Sequence, residues 1–135
     1  MINIKAVVEG EPDTLPFTRI FELRDKIDEK IFFASVKIIK EKLSRNLKIN
    51  TNECLTIFCD YIINEILAKR RVSLIEQNAS KLLSEQQVMI GVSETLRKIT
   101  FEVLLVDSLT KKKKEKKNKI IIIENALPKS NYLLV

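Results

Sequence analysis

The sequence predicts an α+β fold, in which a bundle of about four helices packs with a small antiparallel β-hairpin near the C-terminus. Apolar residues recur at helical spacing through the first half of the chain. The pattern then changes to two β-branched runs, ITFEVLLV (99–106) and KIIII (119–123). A chain of 135 residues that is 45% hydrophobic can bury one core. Helices that precede paired strands are typical of this fold class.

Residues 1–45 are predicted to contain a possible short strand, a loop and one long helix. INIKAVV (2–8) is apolar and partly β-branched, and residues 9–16 contain two prolines. The helix is predicted from about Phe17 to Arg45. Its expected core face contains Ile27, Ile31, Ala34, Ile38 and Leu43, and Phe32, Phe33, Val36 and Ile39 widen that face. Such a wide face suggests burial against more than one neighbour.

Two further helices should follow a short joint. Asn46 suits a helix C-terminus because asparagine tolerates the left-handed backbone region. Asn50 and Glu53 have the spacing of a helix start in which each side chain caps the other's backbone N–H. The core face of this second helix is expected to contain Leu55, Phe58, Ile62 and Ile66. A third, short helix is predicted over Leu74–Ser80, with Ser73 as its cap.

The stretch Leu83–Glu94, LSEQQVMIGVSE, is the most informative part of the chain. Ser84 and Gln87 have the spacing of a capping box. A short apolar helix is expected through Val88–Ile90, with Met89 in the core, and Gly91 should end it in the left-handed region. A short helix with a defined cap and a defined end is expected to connect the elements on either side of it, and it carries no catalytic group.

The last part of the chain is predicted to form a hairpin with a long charged tip. The isoleucines of KIIII show no alternation with polar residues, which suggests burial on both faces, most easily supplied by another subunit. Glu102 and Glu124 could form a carboxylate pair across the hairpin, although we favour placement on opposite faces or at a solvated edge. Residues 128–135 form an apolar tail.

The net charge of +6 is concentrated in residues 111–119, KKKKEKKNK, which contain seven lysines and one glutamate. Without them, 24 − 7 = 17 basic side chains face 18 − 1 = 17 acidic ones. The run could bind nucleic acid or acidic lipid. We favour a solvated hairpin tip that prevents edge-to-edge aggregation, because the run has no arginine or aromatic residue. Nucleic acid is therefore an unlikely partner.

The composition argues against metal and acid–base chemistry on this chain. It contains no histidine, the commonest ligand of zinc, copper and nickel and the usual general base near neutral pH. Cys54 and Cys59 lack a standard zinc spacing and are expected to be buried thiols. The N-terminus lacks a signal-peptide pattern, and no apolar stretch approaches the ~20 residues of a membrane span. We expect a cytoplasmic protein that does not associate with a membrane. We also expect no cofactor and no catalytic site on this chain.

Several segments together resemble the gamma subunit of urease. Leu47, Asn50 and Glu53 match the family pattern R-G-L-K-L-N-x-x-E-A after the long helix. The family pattern V-L-T-x-x-x-V-M-x-G-V-x-E matches later residues in the same order, and the hairpin pattern I-x-V-E-A matches the start of the first predicted strand. These residues are Ser84, Val88, Met89, Gly91, Val92, Glu94 and Glu102. The likeness extends from about residue 23 to residue 127, preceded by an N-terminal extension of residues 1–22 and followed by the tail.

The resemblance implies a structural subunit. Ureases hydrolyse urea at two nickel ions that the large alpha subunit holds, and gamma subunits contribute no ligand. By resemblance, the chain should pack with urease alpha and beta subunits in a trimer of αβγ units, with the apolar face of the first helix and the isoleucine strand at the interface. Nickel would be on the alpha subunit and none on this chain.

The chain also departs from the family pattern. Asn46 replaces a glycine, Glu124 and Ala126 replace a histidine and a proline, and the lysine run replaces a short turn. Two alternatives therefore stay open. The chain could be a diverged paralogue without a urease partner, or a gamma-like interaction module whose lysine-rich loop binds nucleic acid or another acidic partner.

Overall fold

Four strands and four helices make up the part of the chain that the structure describes. This computed structural model describes residues 1–107 and 115–128. In chain order, the elements are β1 (Ile2–Glu9), β2 (Phe17–Leu23), α1 (Lys26–Ser44), α2 (Thr51–Leu67), α3 (Val72–Ala79), a single 3-10 turn (Glu85–Gln87), α4 (Val92–Thr95), β3 (Lys98–Asp107) and β4 (Glu115–Glu124). The predicted α+β class is confirmed. The first part of the lysine run and most of the apolar tail lie outside the described residues.

The strands form one antiparallel sheet in the order β2-β1-β3-β4. The predicted hairpin is confirmed, with Ile99 opposite Ile123. The predicted first strand also forms, and it lies between β2 and β3, with Ala6 opposite Phe101. Residues 1–22 thus belong to the same sheet as the hairpin. The division of the chain at residue 22 stays a prediction.

The helix prediction from Phe17 was wrong, because residues 17–23 form β2 and the helix begins at Lys26. Phe21 and Leu23 enter the core, while Ile20 before them and Glu22 between them point outward. This alternation is the period of a strand. The Asp25 side chain accepts a hydrogen bond from the Asp28 backbone N–H at 2.9 Å. Asp25 therefore caps the helix.

The predicted core face of α1 was wrong in part: the residues predicted to widen it are mostly the buried ones, and Leu43 packs against the core, but the rest of the predicted face is exposed. Phe32, Val36 and Ile39 are its buried residues, whereas Ile27, Ile31 and Ile38 are 68%, 63% and 59% exposed. The buried face packs on α2 and β2, and on β2 the Phe32 ring lies edge-on to Phe21 with 6.1 Å between ring centroids. Both faces have helical spacing, so the pattern alone could not distinguish them.

Helix α2 is the centre of the core. It packs on the inner face of the sheet, where the rings of Phe58 and Phe101 are 6.4 Å apart, and α1 packs on it. Ten of its residues are buried, including both cysteines and Asp60. Asp60 accepts a hydrogen bond from Asn64 at 3.1 Å and pairs with Lys40 at 3.3 Å. These two partners satisfy the carboxylate, as its burial requires.

Helix α3 covers the outer edge of β4. It begins at Val72, with Arg71 and not Ser73 at the cap position. The Glu76 carboxylate accepts a hydrogen bond from the Ile122 backbone N–H at 2.7 Å. This bond satisfies a donor on an edge strand. Ile121 and Ile123 are buried, but Ile120 and Ile122 are exposed on the outer face, so the described part of this chain does not provide the expected burial on both faces.

Candidate functional site: the junction of the two motif segments

The two motif segments lie far apart in the sequence but meet in the structure. Ile49 and Val88 form a parallel β-bridge. The Ile49 backbone N–H donates to the Gln87 carbonyl at 3.1 Å, and the Met89 N–H donates to the Ile49 carbonyl at 2.9 Å. The Lys48 ammonium donates to the Gln86 carbonyl. We call residues 46–53 and 84–94 the motif junction.

The first half of the junction ends α1 and starts α2 as predicted. Asn46 has a φ of +59°, in the left-handed region. Asn50 and Glu53 form the predicted capping box: the Glu53 N–H donates to the Asn50 side chain at 2.8 Å, and the Asn50 N–H donates to Glu53 at 3.0 Å. The Lys42 ammonium also lies 2.8 Å from the Glu53 carboxylate, which links α1 to α2. The sequence analysis missed this ion pair.

The environment of Glu53 lowers the pKa of its carboxyl. Burial raises this pKa, but the hydrogen bond from Lys42, the hydrogen bond from the Asn50 backbone and the Lys42 charge together outweigh it. A carboxyl whose pKa is lower in the folded state stabilises the fold at pH values above its ordinary value of 4.5. That contribution is lost as the pH falls through the native pKa.

We expect Glu53→Gln to lower the free energy of unfolding by about 1 kcal/mol at pH 7, because glutamine keeps the cap but loses the ion pair. At pH 3 or below, the difference in free energy of unfolding between the variant and the natural protein should shrink. Urea denaturation at both pH values measures it.

Glu41→Gln is the control for this substitution, since Glu41 pairs with Arg45 at 2.7 Å on an exposed surface. It should change the free energy of unfolding by less than ~0.5 kcal/mol, because exposed ion pairs contribute little. An equal Glu53→Gln effect at both pH values would contradict the assignment of the lowered pKa to Glu53.

The second half of the junction departs from the prediction after its first turn. The Gln87 side chain accepts a hydrogen bond from the Ser84 backbone N–H at 2.9 Å, so the predicted capping box forms. Val88 is extended, however, and no helix runs through Val88–Ile90. The bridge to Ile49 uses the backbone of this segment and prevents a helix there. Gly91, with a φ of +91°, precedes α4 and does not end a helix.

Gly91→Ala should destabilise the fold by about 1–2 kcal/mol, because a side chain disfavours the left-handed backbone. Apart from the glycine and its two chain neighbours, no atom of the described residues lies within 4 Å of the position that a Cβ would take, so the expected cost is conformational and not steric. Gly91→Asn is the matched variant and should cost less, since asparagine tolerates this region. Thermal unfolding of the two variants tests the ranking. Equal losses would point to a cause other than backbone strain.

The other candidate residues divide between the core and the surface. Val88 and Val92 are buried. Leu47 is exposed, and Met89 is 47% exposed, so its expected place in the core was wrong. One carboxylate oxygen of Glu94 is buried without a hydrogen-bond partner among the described residues. Glu102 lies away from the motif junction, on the outer face of the sheet. Its carboxylate is 3.9 Å from the Lys5 ammonium.

The geometry offers no acid–base pair or activated nucleophile in the described ranges. Glu102 lies opposite Ile120 and Glu124 opposite Lys98, so the two carboxylates do not face each other. Burial raises the pKa of Cys54 to about 12 and that of Cys59 well above its ordinary value. Residues 1–107 and 115–128 contain no group of three or more histidine, cysteine or acidic side chains placed to hold a metal ion. No helix in those ranges is long and apolar enough to cross a membrane.

The fold and the junction define a small α+β protein whose two motif segments are joined by backbone hydrogen bonds. The family described as "Urease, gamma subunit" matches residues 21–111. The chain belongs to the urease gamma subunit family, as the sequence resemblance indicated. β1 and most of β2 precede the matched region.

Curated relatives support this membership. The urease subunit gamma of Halalkalibacterium halodurans is 30% identical over 82 residues, which cover 60% of this chain and 82% of the relative. That of Saccharopolyspora erythraea is 24% identical over 80 residues, covering 59% of this chain and 80% of the relative. That of Prochlorococcus marinus subsp. pastoris is 25% identical over 80 residues with the same coverage.

Proposed function

We propose that this chain is a non-catalytic structural subunit of a nickel-dependent urease, which hydrolyses urea to ammonia and carbamate. In this proposal, the chain packs with urease alpha and beta subunits in the cytoplasm, in a trimer of αβγ units. The nickel ions belong to the alpha subunit. The family membership supports the enzyme class, and the absence of histidine from the sequence agrees with a role outside the nickel site.

The observation that carries the structural role is an apolar stripe on the outer face of α1. Ile27, Ile31, Ala34 and Ile38 are exposed at spacings of four, three and four residues. This is the spacing of a seam that packs against another helix or a flat apolar surface. We call these four residues the α1 stripe. A row of isoleucines exposed in the single chain favours burial by a partner subunit.

The candidate motif residues have a supporting role in this proposal. The hydrogen bonds of the motif junction hold the ends of α1 and α2 against the segment that leads to α4. In this proposal, these bonds fix the orientation of α1 and therefore the direction in which the α1 stripe faces. Leu47 and Met89 lie exposed on the same junction and are further apolar side chains that a partner could contact.

Co-expression with the urease alpha and beta chains of the same genome tests the proposal. We expect a complex that survives size-exclusion chromatography and hydrolyses urea once loaded with nickel. The purified chain alone should release no ammonia from urea. A chain that fails to associate with these subunits, or that hydrolyses urea by itself, would overturn the proposal.

A further inference from the structure

A cavity of about 310 Å³ lies where the end of α2, the start of α3 and β4 meet. Lys69, Arg70 and Lys119 line it, and none of its lining residues in the described part of the chain is acidic. Ile66, Val72 and Ile75 line it as well and give it an apolar floor. Lys119 is the last lysine of the basic run, so the fold brings the end of that run to a second basic segment, which follows α2. We call this cavity the basic pocket.

The turn that carries Lys69 and Arg70 is held in place by the backbone. The Lys69 N–H donates to the Ile66 carbonyl at 2.9 Å, and the Arg70 N–H donates to the Glu65 carbonyl at 3.0 Å. Lys69 has a φ of +60°. This left-handed residue ends α2 and turns the chain toward α3. Two cations are therefore presented at defined positions on one side of the basic pocket, with the strand that carries Lys119 on the other.

We propose that the basic pocket binds an acidic segment of a partner protein, in which carboxylates alternate with apolar side chains. The carboxylates would pair with Lys69 and Lys119, and one apolar side chain would pack on the floor beside Val72. Charge complementarity supports this choice, since Lys69, Arg70 and Lys119 all line the basic pocket. This inference does not depend on the proposed enzyme.

The lining favours a protein segment over a nucleic acid. Among the residues that the structure describes, no aromatic side chain lines the basic pocket to stack on a base. The Arg70 guanidinium lies 3.6 Å from the Glu65 carboxylate. This carboxylate competes with bidentate binding of any anion at Arg70, so the carboxylates of the ligand are assigned to Lys69 and Lys119. Val72, which is only partly buried, provides apolar surface that a sugar-phosphate backbone cannot use.

Fluorescence anisotropy of the full chain with labelled probes tests this inference. The probes are a peptide of alternating glutamate and leucine, an all-glutamate peptide of equal charge and a single-stranded oligonucleotide of equal charge. We expect the alternating peptide to bind most tightly. Lys69→Glu combined with Lys119→Glu should weaken it by about tenfold or more. Lys26→Glu combined with Lys81→Glu makes the same charge change on exposed lysines elsewhere and should alter binding by less than about threefold.

A second variant tests the contribution of the apolar floor to binding separately from that of the charged side chains. Val72→Ser should weaken the alternating peptide but leave the all-glutamate peptide unchanged, with circular dichroism confirming that the variant is folded. Equal losses in the two charge-reversed variants would overturn the inference, as would absence of binding to the natural chain. Tighter binding of the oligonucleotide than of either peptide would instead assign the basic pocket to nucleic acid.

Discussion

Removal of residues 1–22 should leave a chain that does not fold, although most of this segment precedes the region shared with the family. Ile4 and Ala6 are fully buried in β1, and Val8 is 1% exposed. β2 adds Phe21 to the core. Burial of each larger side chain contributes about 1.5–3 kcal/mol, so their joint loss rivals the ~5–15 kcal/mol stability of a whole domain. The truncation would also open the edge of β3 that β1 now covers.

A pair of identical substitutions tests the same claim without deleting the segment. Ile4→Ala in β1 should lower the free energy of unfolding by about 2–5 kcal/mol. Ile20 on the outer face of β2 is 56% exposed. Ile20→Ala should therefore change the free energy of unfolding by less than ~0.5 kcal/mol. Urea denaturation measures both, and size-exclusion chromatography reports aggregation of the truncated chain. Cooperative unfolding of the truncated chain at the natural midpoint would show that residue 22 is a real domain boundary.

Local signals in the sequence predicted those elements whose cause is local. Asn50 and Glu53 cap α2 through contacts between near neighbours in the sequence, and Ser84 and Gln87 do the same for the 3-10 turn. β3 and β4 carry enough β-branched residues to be recognised without their partners. The resemblance to the family rested on these same segments, and the family match confirms it.

The errors arose where distant contacts override a local pattern. In the sequence, the apolar residues of 17–23 are compatible with the helical spacing of the residues that follow them. Pairing with β1 makes residues 17–23 a strand. The choice between the two apolar faces of α1 followed from that error, because Phe32 faces the missed strand. Val88 is extended because Ile49, in the earlier motif segment, pairs with it. The approach of Lys119 to Lys69 likewise depends on the complete sheet.

Replacement of two isoleucines of the α1 stripe should abolish assembly while leaving the fold intact. Ile31→Ser with Ile38→Ser removes apolar surface that is largely exposed in the single chain. Each change should therefore alter the stability of the chain by less than ~1 kcal/mol. If a partner subunit covers both residues, the lost burial amounts to about 3–6 kcal/mol, or ~100-fold or more in affinity. Co-purification with the urease alpha and beta chains and urea hydrolysis by the nickel-loaded eluate would both fall accordingly.

Lys30→Ser with Lys37→Ser is the matched control, because both lysines are exposed on the same helix beside the α1 stripe. It introduces the same residue twice, so a general effect of serine on helix stability appears equally in both variants. The natural chain must first assemble, which separates a failure of the proposed function from a failure of the stripe. If the control assembles and the isoleucine variant does too, with equal urea hydrolysis, the partner contacts another face. The outer face of the sheet, where Ile20, Ile120 and Ile122 are exposed, would then be the next surface to substitute.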